Sequence, residues 1–471
     1  MSGPERGRDR ERLEKLEREN QRLREENQGL KQKIEQLQQQ LEEALRAAKR
    51  QAAPHSRGEP KQQPKKPGRK PGPDYGRRAC RPAPRRVDEH IAVPLPERCH
   101  HCGGAVAFLH TEPQYQEEIV RRTVVRRFDI ALGQCQGCGR HLQGRHPWQT
   151  SDALGAAAVQ LGPEALTLAA LMNKQMGLSL GHTTQVLQQG FGLTVSRSGI
   201  CRALARIAEK AAPSYQGLIV AARQSLVNIL DETGWRVGGR LQWMHVAVSE
   251  QVTVYAILPG RGFAQLSWVV GADYEGFLGH DGWAPYYRFA RPNVFHQSCQ
   301  NHLITRCRNL VQILSPAAAR FPLLVKGLLQ RALALRDRYA AAEISRHGLR
   351  TATGRLEAEL DRLLQKRYRC PANVRLAKHL GHEQPWLFSF LHCPGLEATN
   401  HRAEGAIRWF VIARKIWGGN RSWKGAQTQQ ILGSVLRTYW QHGKDPFPQI
   451  VALQRSPTTL ILDIVPTSRS P

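Results

Sequence analysis

Three acidic residues, Asp231, Asp281 and Glu404, have surroundings that suit metal-dependent chemistry. Carboxylate oxygens are the ligands that Mg²⁺ or Mn²⁺ prefers, and three carboxylates can hold two such ions about 3.5 to 4 Å apart. Ions held in this way activate a water or a 3′-hydroxyl and stabilise the leaving oxygen of a phosphodiester. Each acid alone is better explained by a turn or a helix-surface ion pair. The hypothesis therefore depends on the elements that bring the three together.

The segment from Leu226 to Ser298 predicts three strands, a helix, a strand, a short helix and a final strand. Asp231 falls at the end of the first predicted strand, Asp281 just past the fourth, and Glu404 in a helix from about Asn400 to Lys415. This order matches an α/β ribonuclease-H-like catalytic core, divided between residues 226–302 and 393–440. The mostly helical, Arg-rich residues 303–392 form an insertion, which either grips DNA or a partner subunit or serves as a structural cover.

Two C-x-x-C pairs predict a second metal site, this time for Zn²⁺. Cys99 and Cys102 form one pair and Cys135 and Cys138 the other, and each pair is followed by glycine. Four thiolates suit tetrahedral zinc, so residues 91–145 are expected to form a small zinc ribbon, with a strand in the intervening residues 119–132. Reduced cysteines without metal are the alternative.

Cys299 and His302 have the spacing of half a metal site, but the sequence offers no second half. Their role is left open between metal binding and positioning of a helix beside the acids. Positioning is the favoured alternative.

Residues 8–50 repeat every seven positions and predict a coiled coil that joins two copies of the chain. A solvated single helix is the alternative. Residues 51–90 are basic and rich in Pro and Gly, which predicts a linker. This linker is either simply solvated or a basic arm in which Arg69 and Lys70 contact DNA. Residues 150–225 are helical and resemble a helix-turn-helix that would direct Arg197, Ser198 and Arg202 to a DNA groove, although ordinary packed helices fit equally well.

Basic and aromatic residues alternate after Glu404, which is typical of a surface that handles DNA ends. Trp409 has the spacing of a buried residue, whereas Trp417 and Trp423 lie beside glycines and are predicted to contact DNA. Residues 441–471 are expected to form a C-terminal tail. The predicted DNA-binding side chains in this region are Arg408, Arg414, Lys415, Arg421 and Lys424.

The whole chain is strongly basic, with 68 Lys and Arg against 39 Asp and Glu, a net charge of +29 and a pI near 10.3. This excess predicts a polyanionic partner, with nucleic acid ahead of an anionic membrane surface. The amino terminus lacks the apolar segment of a signal peptide, and no apolar run is long enough to span a membrane. We therefore expect a cytoplasmic, nucleoid-associated protein.

Several strings resemble the insertion-sequence 66 (IS66) family of bacterial transposases over nearly the whole chain. These strings are Asp231-Glu-Thr-Gly-Trp-Arg-Val, Asp281-Gly-Trp-Ala-Pro-Tyr, Cys299-Gln-Asn-His-Leu, Glu397-Ala-Thr-Asn-His-Arg-Ala-Glu and Arg414-Lys-Ile-Trp-Gly-Gly-Asn-Arg-Ser. Where that family usually has other residues, this chain has Ala398, His401 and Gly405.

The resemblance implies a DDE transposase that binds the terminal repeats of its element and a target DNA. It implies Mg²⁺-dependent strand cleavage and strand transfer, with Asp231, Asp281 and Glu404 in the positions of the catalytic triad. Accessory proteins encoded by the same element are also implied. The alternatives are a ribonuclease-H-like nuclease, a non-catalytic DNA-binding regulator and a decayed, inactive transposase.

Overall fold

The computed structural model describes residues 18–30, 83–289, 292–393 and 395–466. The chain divides into two compact units, residues 1–118 and 119–471. In the first unit, α1 covers 18–30 and its leucines Leu23 and Leu30 are about half exposed. The dimer through residues 8–50 stays a prediction, and Arg69 and Lys70 lie outside the described residues.

The second unit begins with an extended segment followed by a small hairpin. The hairpin pairs β1 (Leu132–Gln134) with β2 (His141–Gln143) in antiparallel register. A strand was predicted over 119–132, but residues 119–131 pair with no strand in the described part of the chain. Val120 and Val125 are about nine-tenths exposed, so the alternating apolar residues have no sheet face to cover. A 3₁₀ turn, Gly155–Ala158, ends this region.

Helices then follow over the region where a helix-turn-helix was predicted. They are α2 (Pro163–Ala170), continued by a π-helical turn, Leu171–Gln175, then α3 (Leu180–Phe191) and α4 (Arg197–Gln224). Gly192 ends α3 with φ 68°, a left-handed conformation that glycine adopts without strain. Ser196 caps α4 by accepting a hydrogen bond from Gly199 N–H at 3.0 Å.

A five-stranded mixed sheet forms the centre of the unit, in the spatial order β5-β4-β3-β6-β7 among the described residues. The strands are β3 (Val227–Val237), β4 (Arg240–Val248), β5 (Thr253–Leu258), β6 (Gly276–His280) and β7 (Val294–Ser298). The first three are antiparallel, and β6 and β7 run parallel to β3. Helix α5 (Phe263–Val270) precedes β6, and a 3₁₀ turn (Ala284–Arg288) separates β6 from β7. This mixed α/β arrangement is compatible with the predicted ribonuclease-H-like core.

The predicted insertion is helical. It comprises α6 (Gln300–Ile313), α7 (Pro316–Ala340), α8 (Arg346–Leu364), α9 (Pro371–Glu383), a 3₁₀ turn (Gln384–Trp386) and α10 (Ser389–His392). The chain then returns to the sheet with α11 (His401–Trp417) and α12 (Trp423–Gln441). Residues 441–471 were expected to be a tail, but α13 (Phe447–Arg455) packs into a core beside α2 and α4. Ile450 and Leu453, three positions apart, lie on one buried face of α13.

The two faces of β3 pack against different helices because side chains alternate along a strand. Ile229 and Trp235 lie on the face covered by α11 and the insertion, where the Trp235 and Phe410 rings meet edge to face at 6.2 Å. Leu230 lies on the opposite face with Leu266 of α5. Asp231, two positions after Ile229, therefore shares the face on which α11 packs.

Candidate active site

The parallel register of β3 and β6 brings the first two acids side by side. Val227 pairs with Phe277 and Ile229 with Gly279, and Asp231 and Asp281 each follow two residues after this last pair. The charge of Asp281 is accordingly among the causes that raise the pKa of Asp231. Neighbouring strands lie about 4.8 Å apart, and residues two positions along a strand share a face. Asp231 was predicted at a strand end, but it lies within β3, which continues to Val237 in its hairpin with β4. Only Asp281 follows the last residue of its strand.

The turn that carries Asp281 is fixed by its own backbone. Gly282 has φ 90°, which a residue with a side chain rarely adopts, and its N–H donates to Nδ1 of His280 at 3.1 Å. The N–H of Trp283 donates to Oδ1 of Asp281 at 3.0 Å. His280 therefore carries its proton on Nε2 and donates to Nδ1 of His296 at 3.1 Å. Burial lowers the pKa of both histidines, to about 4 for His296, so the pair stays neutral.

Two consecutive tyrosines anchor the same turn to two buried carboxylates. Tyr286 donates to Glu232, the neighbour of Asp231 on β3, and Tyr287 donates to Glu383 at the end of α9. Ser298 at the end of β7 also donates to Glu383. Burial raises the pKa of Glu232 and raises that of Glu383 to about 7. The Asp281 turn is thereby held from the sheet on one side and from the insertion on the other.

Glu404 approaches the two aspartates from the first turn of α11. Its N–H donates to the carbonyl of Asn400 at 3.0 Å. The chain before α11 is held to the start of α6, because Gln300 N–H donates to the carbonyl of Ala398 at 2.9 Å. The residue before Gln300, Cys299, donates its N–H to the carbonyl of His280 at 2.8 Å. The end of β6 and the starts of α6 and α11 therefore meet at one place.

The meeting point of these elements carries an excess of negative charge. The pKa of Asp231 is raised to about 7, first by burial and then by the charges of Glu232, Asp281 and Glu404. His302 lies with Nε2 3.8 Å from Oε1 of Glu404. Its pKa is raised to about 9, first by a hydrogen bond with Cys299 and then by the charges of Glu404 and Asp281. Such a group of carboxylates suits a divalent cation.

A Trp-Arg-Trp stack lies beside the acids and was not anticipated from the sequence. The guanidinium of Arg261 lies 4.5 Å from the ring centroid of Trp243 and 3.9 Å from that of Trp283. The same guanidinium lies 4.0 Å from the carboxylate of Glu232. Trp283, two residues after Asp281, is 36% exposed, so an aromatic surface remains accessible next to the site. The three residues are distant in sequence, and no spacing rule would have joined them.

The predicted DNA-binding residues are spread over several elements. Arg197 and Arg202 are exposed near the start of α4. Arg414 is half-buried and donates to Oγ1 of Thr233 on β3 at 3.3 Å, close to the acids. Lys424 forms an exposed ion pair with Glu209 at 2.9 Å. The exposed members after Glu404 are Arg408, Lys415, Arg421 and Lys424.

The three tryptophans after Glu404 differ from the prediction in one case. Trp417 was predicted to contact DNA, but its ring packs edge to face on Trp235 at 5.6 Å and its Nε1 donates to the carbonyl of Gly177 at 3.3 Å. Trp417 therefore has a structural role, because its ring packs against the apolar face of β3 that carries Trp235. Trp409 is half-buried against Trp440 at 5.5 Å. Trp423 is 47% exposed and stays a candidate for DNA contact.

The first cysteine pair lies in a tight turn of the first unit. Gly103 N–H donates to the carbonyl of Cys99 at 2.9 Å, and Cys99 N–H donates to the carbonyl of Gly104 at 2.9 Å. Backbone hydrogen bonds from Cys102 lower the pKa of Cys99, which favours the thiolate.

The second cysteine pair, in the second unit, has the same pattern. Gly139 N–H donates to the carbonyl of Cys135, and Cys135 N–H donates to the carbonyl of Arg140, both at 2.8 Å. A backbone hydrogen bond from Cys138 is again the largest cause of a lowered pKa at Cys135. Each turn is of a kind that can present two thiolates to one ion, and zinc binding by the four cysteines stays a prediction.

Comparison with known proteins identifies one family. Residues 158–428, more than half of the chain, match the family model described as the transposase IS66 family. The matched range contains Asp231, Asp281 and Glu404 together with the whole helical insertion. No curated protein matches the chain. Among the described residues, no helix has both the length and the apolar character needed to cross a membrane.

Proposed function

The chain belongs to the IS66 family of transposases, and we propose on that premise that it cleaves DNA at the ends of its insertion sequence and joins those ends to a target. Asp231, Asp281 and Glu404 are the catalytic carboxylates in this proposal. The observation that supports it is the register of β3 and β6, in which Ile229 pairs with Gly279 two residues before each aspartate, on the face where α11 packs. Membership in a DDE transposase family implies use of a divalent metal.

The donor set fits such an ion. Three carboxylates supply hard oxygen ligands, which are those of Mg²⁺ and Mn²⁺. The raised pKa of Asp231, with the charges of Asp281 and Glu404 among its causes, indicates that a bound cation would be stabilised there. When bound, Mg²⁺ supplies Lewis-acid activation of a water or 3′-hydroxyl and neutralises charge on the leaving oxygen.

The protein's own contribution is to hold the three carboxylates in place. Asp231 is fixed within a central strand, and Asp281 is fixed by a turn with two anchors, so neither carboxylate has to be ordered when DNA arrives. Glu404 projects from a helix whose start is tied to α6 through Gln300. A site of this kind is selective for geometry rather than base sequence, which suits successive cleavage and joining at one place.

DNA is the partner that the charge and the surroundings of the site favour. A net charge of +29 gives phosphate binding without sequence recognition. Arg414 and Arg261 lie close to the acids, and the exposed ring of Trp283 can stack on an unpaired base at a DNA end.

We expect Trp283→Ala to lower the affinity for ends with unpaired bases by about tenfold or more and to leave fully paired DNA little affected. Binding of 2-aminopurine-labelled ends measures this, with Trp268→Ala on the exposed part of α5 as the control.

The decisive experiment compares wild type with Asp281→Asn on DNA that carries the ends of the element. We expect wild type to give cleaved and joined products in Mg²⁺, and Asp281→Asn to bind the same ends without reacting. Asp273→Asn, an exposed aspartate in the loop before β6, is the matched control and should stay active. Equal activity of the Asp281 variant would refute the carboxylate mechanism.

Two further outcomes separate the alternatives. Cleavage without joining, even with pre-cleaved 3′-hydroxyl ends, would identify a nuclease of the same fold. Binding without reaction in wild type, in the presence of the proteins encoded beside the gene, would identify a regulator or a decayed transposase. A regulator has no need of clustered carboxylates, which repel DNA unless a cation neutralises them.

We also propose that the chain is a homodimer through residues 8–50 and that Cys99, Cys102, Cys135 and Cys138 bind structural zinc. The heptad pattern and the two equivalent cysteine turns support these two proposals. Mass measurement of the full chain and of a chain beginning after residue 50 tests the dimer. Metal analysis of wild type and of Cys135→Ser tests the zinc.

A further inference from the structure

Cys299, His302 and Glu404 form a second group of ligand atoms at the edge of the proposed active site. Their Sγ, imidazole nitrogen and carboxylate oxygen all lie within 4.8 Å of one another. Cys299 precedes the first residue of α6, His302 lies in its first turn, and Glu404 lies in the first turn of α11. Sequence spacing supplied only Cys299 and His302, because the third ligand is about a hundred residues away in the chain.

The chemistry of this group differs from that of the three carboxylates. A thiolate, an imidazole and one carboxylate suit Zn²⁺ or Co²⁺, whereas Mg²⁺ takes oxygen ligands. Bonds of about 2.0 to 2.3 Å in a tetrahedral site put neighbouring ligand atoms about 3.3 to 3.8 Å apart. Nε2 of His302 and Oε1 of Glu404 are already 3.8 Å apart. Small rotations of these two half-exposed side chains would bring the three ligand atoms to the separations of a tetrahedral site.

The backbone that carries the ligands is held in place. Cys299 N–H donates to the carbonyl of His280 at 2.8 Å, and Gln300 N–H donates to the carbonyl of Ala398 at 2.9 Å. The side chain of Gln300 donates to the carbonyl of Leu387 at 2.5 Å. Cys299 is 2% exposed, whereas the side chains of His302 and Glu404 are 51% and 39% exposed. An ion can therefore enter from the solvent side and meet a thiol that is fixed beneath it.

We propose that Cys299, His302 and Glu404 form a binding site for one thiophilic divalent cation of the Zn²⁺ class, with a fourth position open to water. The site shares Glu404 with the proposed catalytic group, and this second statement rests on the proposed function. An ion in the site engages the carboxylate of Glu404 beside Cys299 and His302. Zn²⁺ is then an inhibitor that competes for Glu404 with the cations used for cleavage.

Co²⁺ titration of the metal-stripped full chain tests the site without any measurement of activity. Thiolate ligation of Co²⁺ gives a charge-transfer absorption band. We expect Cys299→Ser and His302→Gln each to bind one fewer Co²⁺ per chain than wild type, or to bind it at least tenfold more weakly, with a smaller band. Cys307→Ala is the matched control, since Cys307 is a buried cysteine on the same helix. It should match wild type in Co²⁺ stoichiometry, affinity and absorption. Wild-type stoichiometry and affinity in both Cys299→Ser and His302→Gln would overturn the proposal.

Inhibition by Zn²⁺ tests the sharing of Glu404. In the DNA cleavage assay, with each protein compared with its own zinc-free rate, we expect at least tenfold more Zn²⁺ to be needed for inhibition of Cys299→Ser than of wild type. Equal sensitivity would overturn the sharing of Glu404. If wild type does not cleave DNA at all, the proposed function fails, and the Co²⁺ measurement still decides whether the site exists.

Discussion

The half-buried acid Asp231 predicts a stability of the fold that depends on pH in a particular direction. Its pKa is about 7 in the folded protein against an ordinary 3.8, mainly because of burial. Between these two values the folded state holds a proton that the unfolded state has lost. The stability of wild type therefore falls as the pH rises from about 4 through about 7, and the full loss is present above that range. Asp231→Asn removes the titration and should escape this loss.

The size of the effect follows from the same two values. At ~1.4 kcal/mol per pH unit, a pKa of about 7 instead of 3.8 corresponds to at most about 4 kcal/mol. Asp231 is half-buried, and water screens part of the interaction, so we expect about 2 kcal/mol. For a unit of this size, about 2 kcal/mol changes the melting temperature by roughly 2 to 4 °C.

Thermal denaturation in EDTA at pH 5 and pH 8 measures the effect. We expect Asp231→Asn to melt near wild type at pH 5 and above it at pH 8, although it should not cleave DNA. Millimolar Mg²⁺ at pH 8 should raise the melting temperature of wild type and leave the variant unchanged. Glu250→Gln, an exposed acid in the turn between β4 and β5, is the control and should show no such pH dependence. A difference between Asp231→Asn and wild type that is the same at both pH values would refute the reasoning.

Two further substitutions test the supports of the site. Tyr287→Phe removes a hydrogen bond to the buried carboxylate of Glu383, so we expect it to lower the free energy of unfolding in urea by about 1 to 3 kcal/mol and to slow cleavage. Tyr339→Phe, at an exposed tyrosine on α7, is the control and should change neither stability nor cleavage. Equal stability of the two variants would contradict the role of Tyr287 as an anchor. Gly405→Ala adds a Cβ that meets nothing within 4 Å inside α11, so stability should rise by about 0.5 to 1 kcal/mol. Gly433→Ala, whose Cβ would lie 2.6 Å from a ring atom of Phe410, should lower stability in the same assay, and a gain there would contradict the packing.

The two aspartates could be predicted as a pair because the relevant information is local. A strand pattern around each acid, with a crossover helix between them, implies neighbouring parallel strands. Glu404 was different. Its helix could be predicted from the sequence, but the face that α11 presents to β3 depends on the packing of Phe410 against Trp235, which no local pattern contains. Glu404 was proposed because its predicted helix could complete the cluster, and the family resemblance gave it a position in the triad.

Tertiary packing also explains the errors. Trp417 looked accessible because glycines follow it, but glycine only lets the chain turn, and the ring itself covers Trp235. Residues 441–471 were also expected to form a tail. Their apolar residues complete a core that α2 and α4 leave open, as Ile450, Leu453 and Leu462 show. Local composition could not predict what these side chains would meet.

The insertion has a role that the sequence did not suggest. It was expected either to grip DNA or to cover the core, yet its helix α9 ends in Glu383, which is fully buried and accepts hydrogen bonds from Tyr287 and Ser298. A Cβ on Gly282 would lie 3.6 Å from Oε1 of Glu383, so this carboxylate also contacts the turn that carries Asp281. Burying an acid is costly unless hydrogen bonds compensate, and here the compensating donors come from the sheet side of the site. The insertion and the Asp281 turn therefore stabilise each other, and deleting the insertion would release one of the two anchors of that turn.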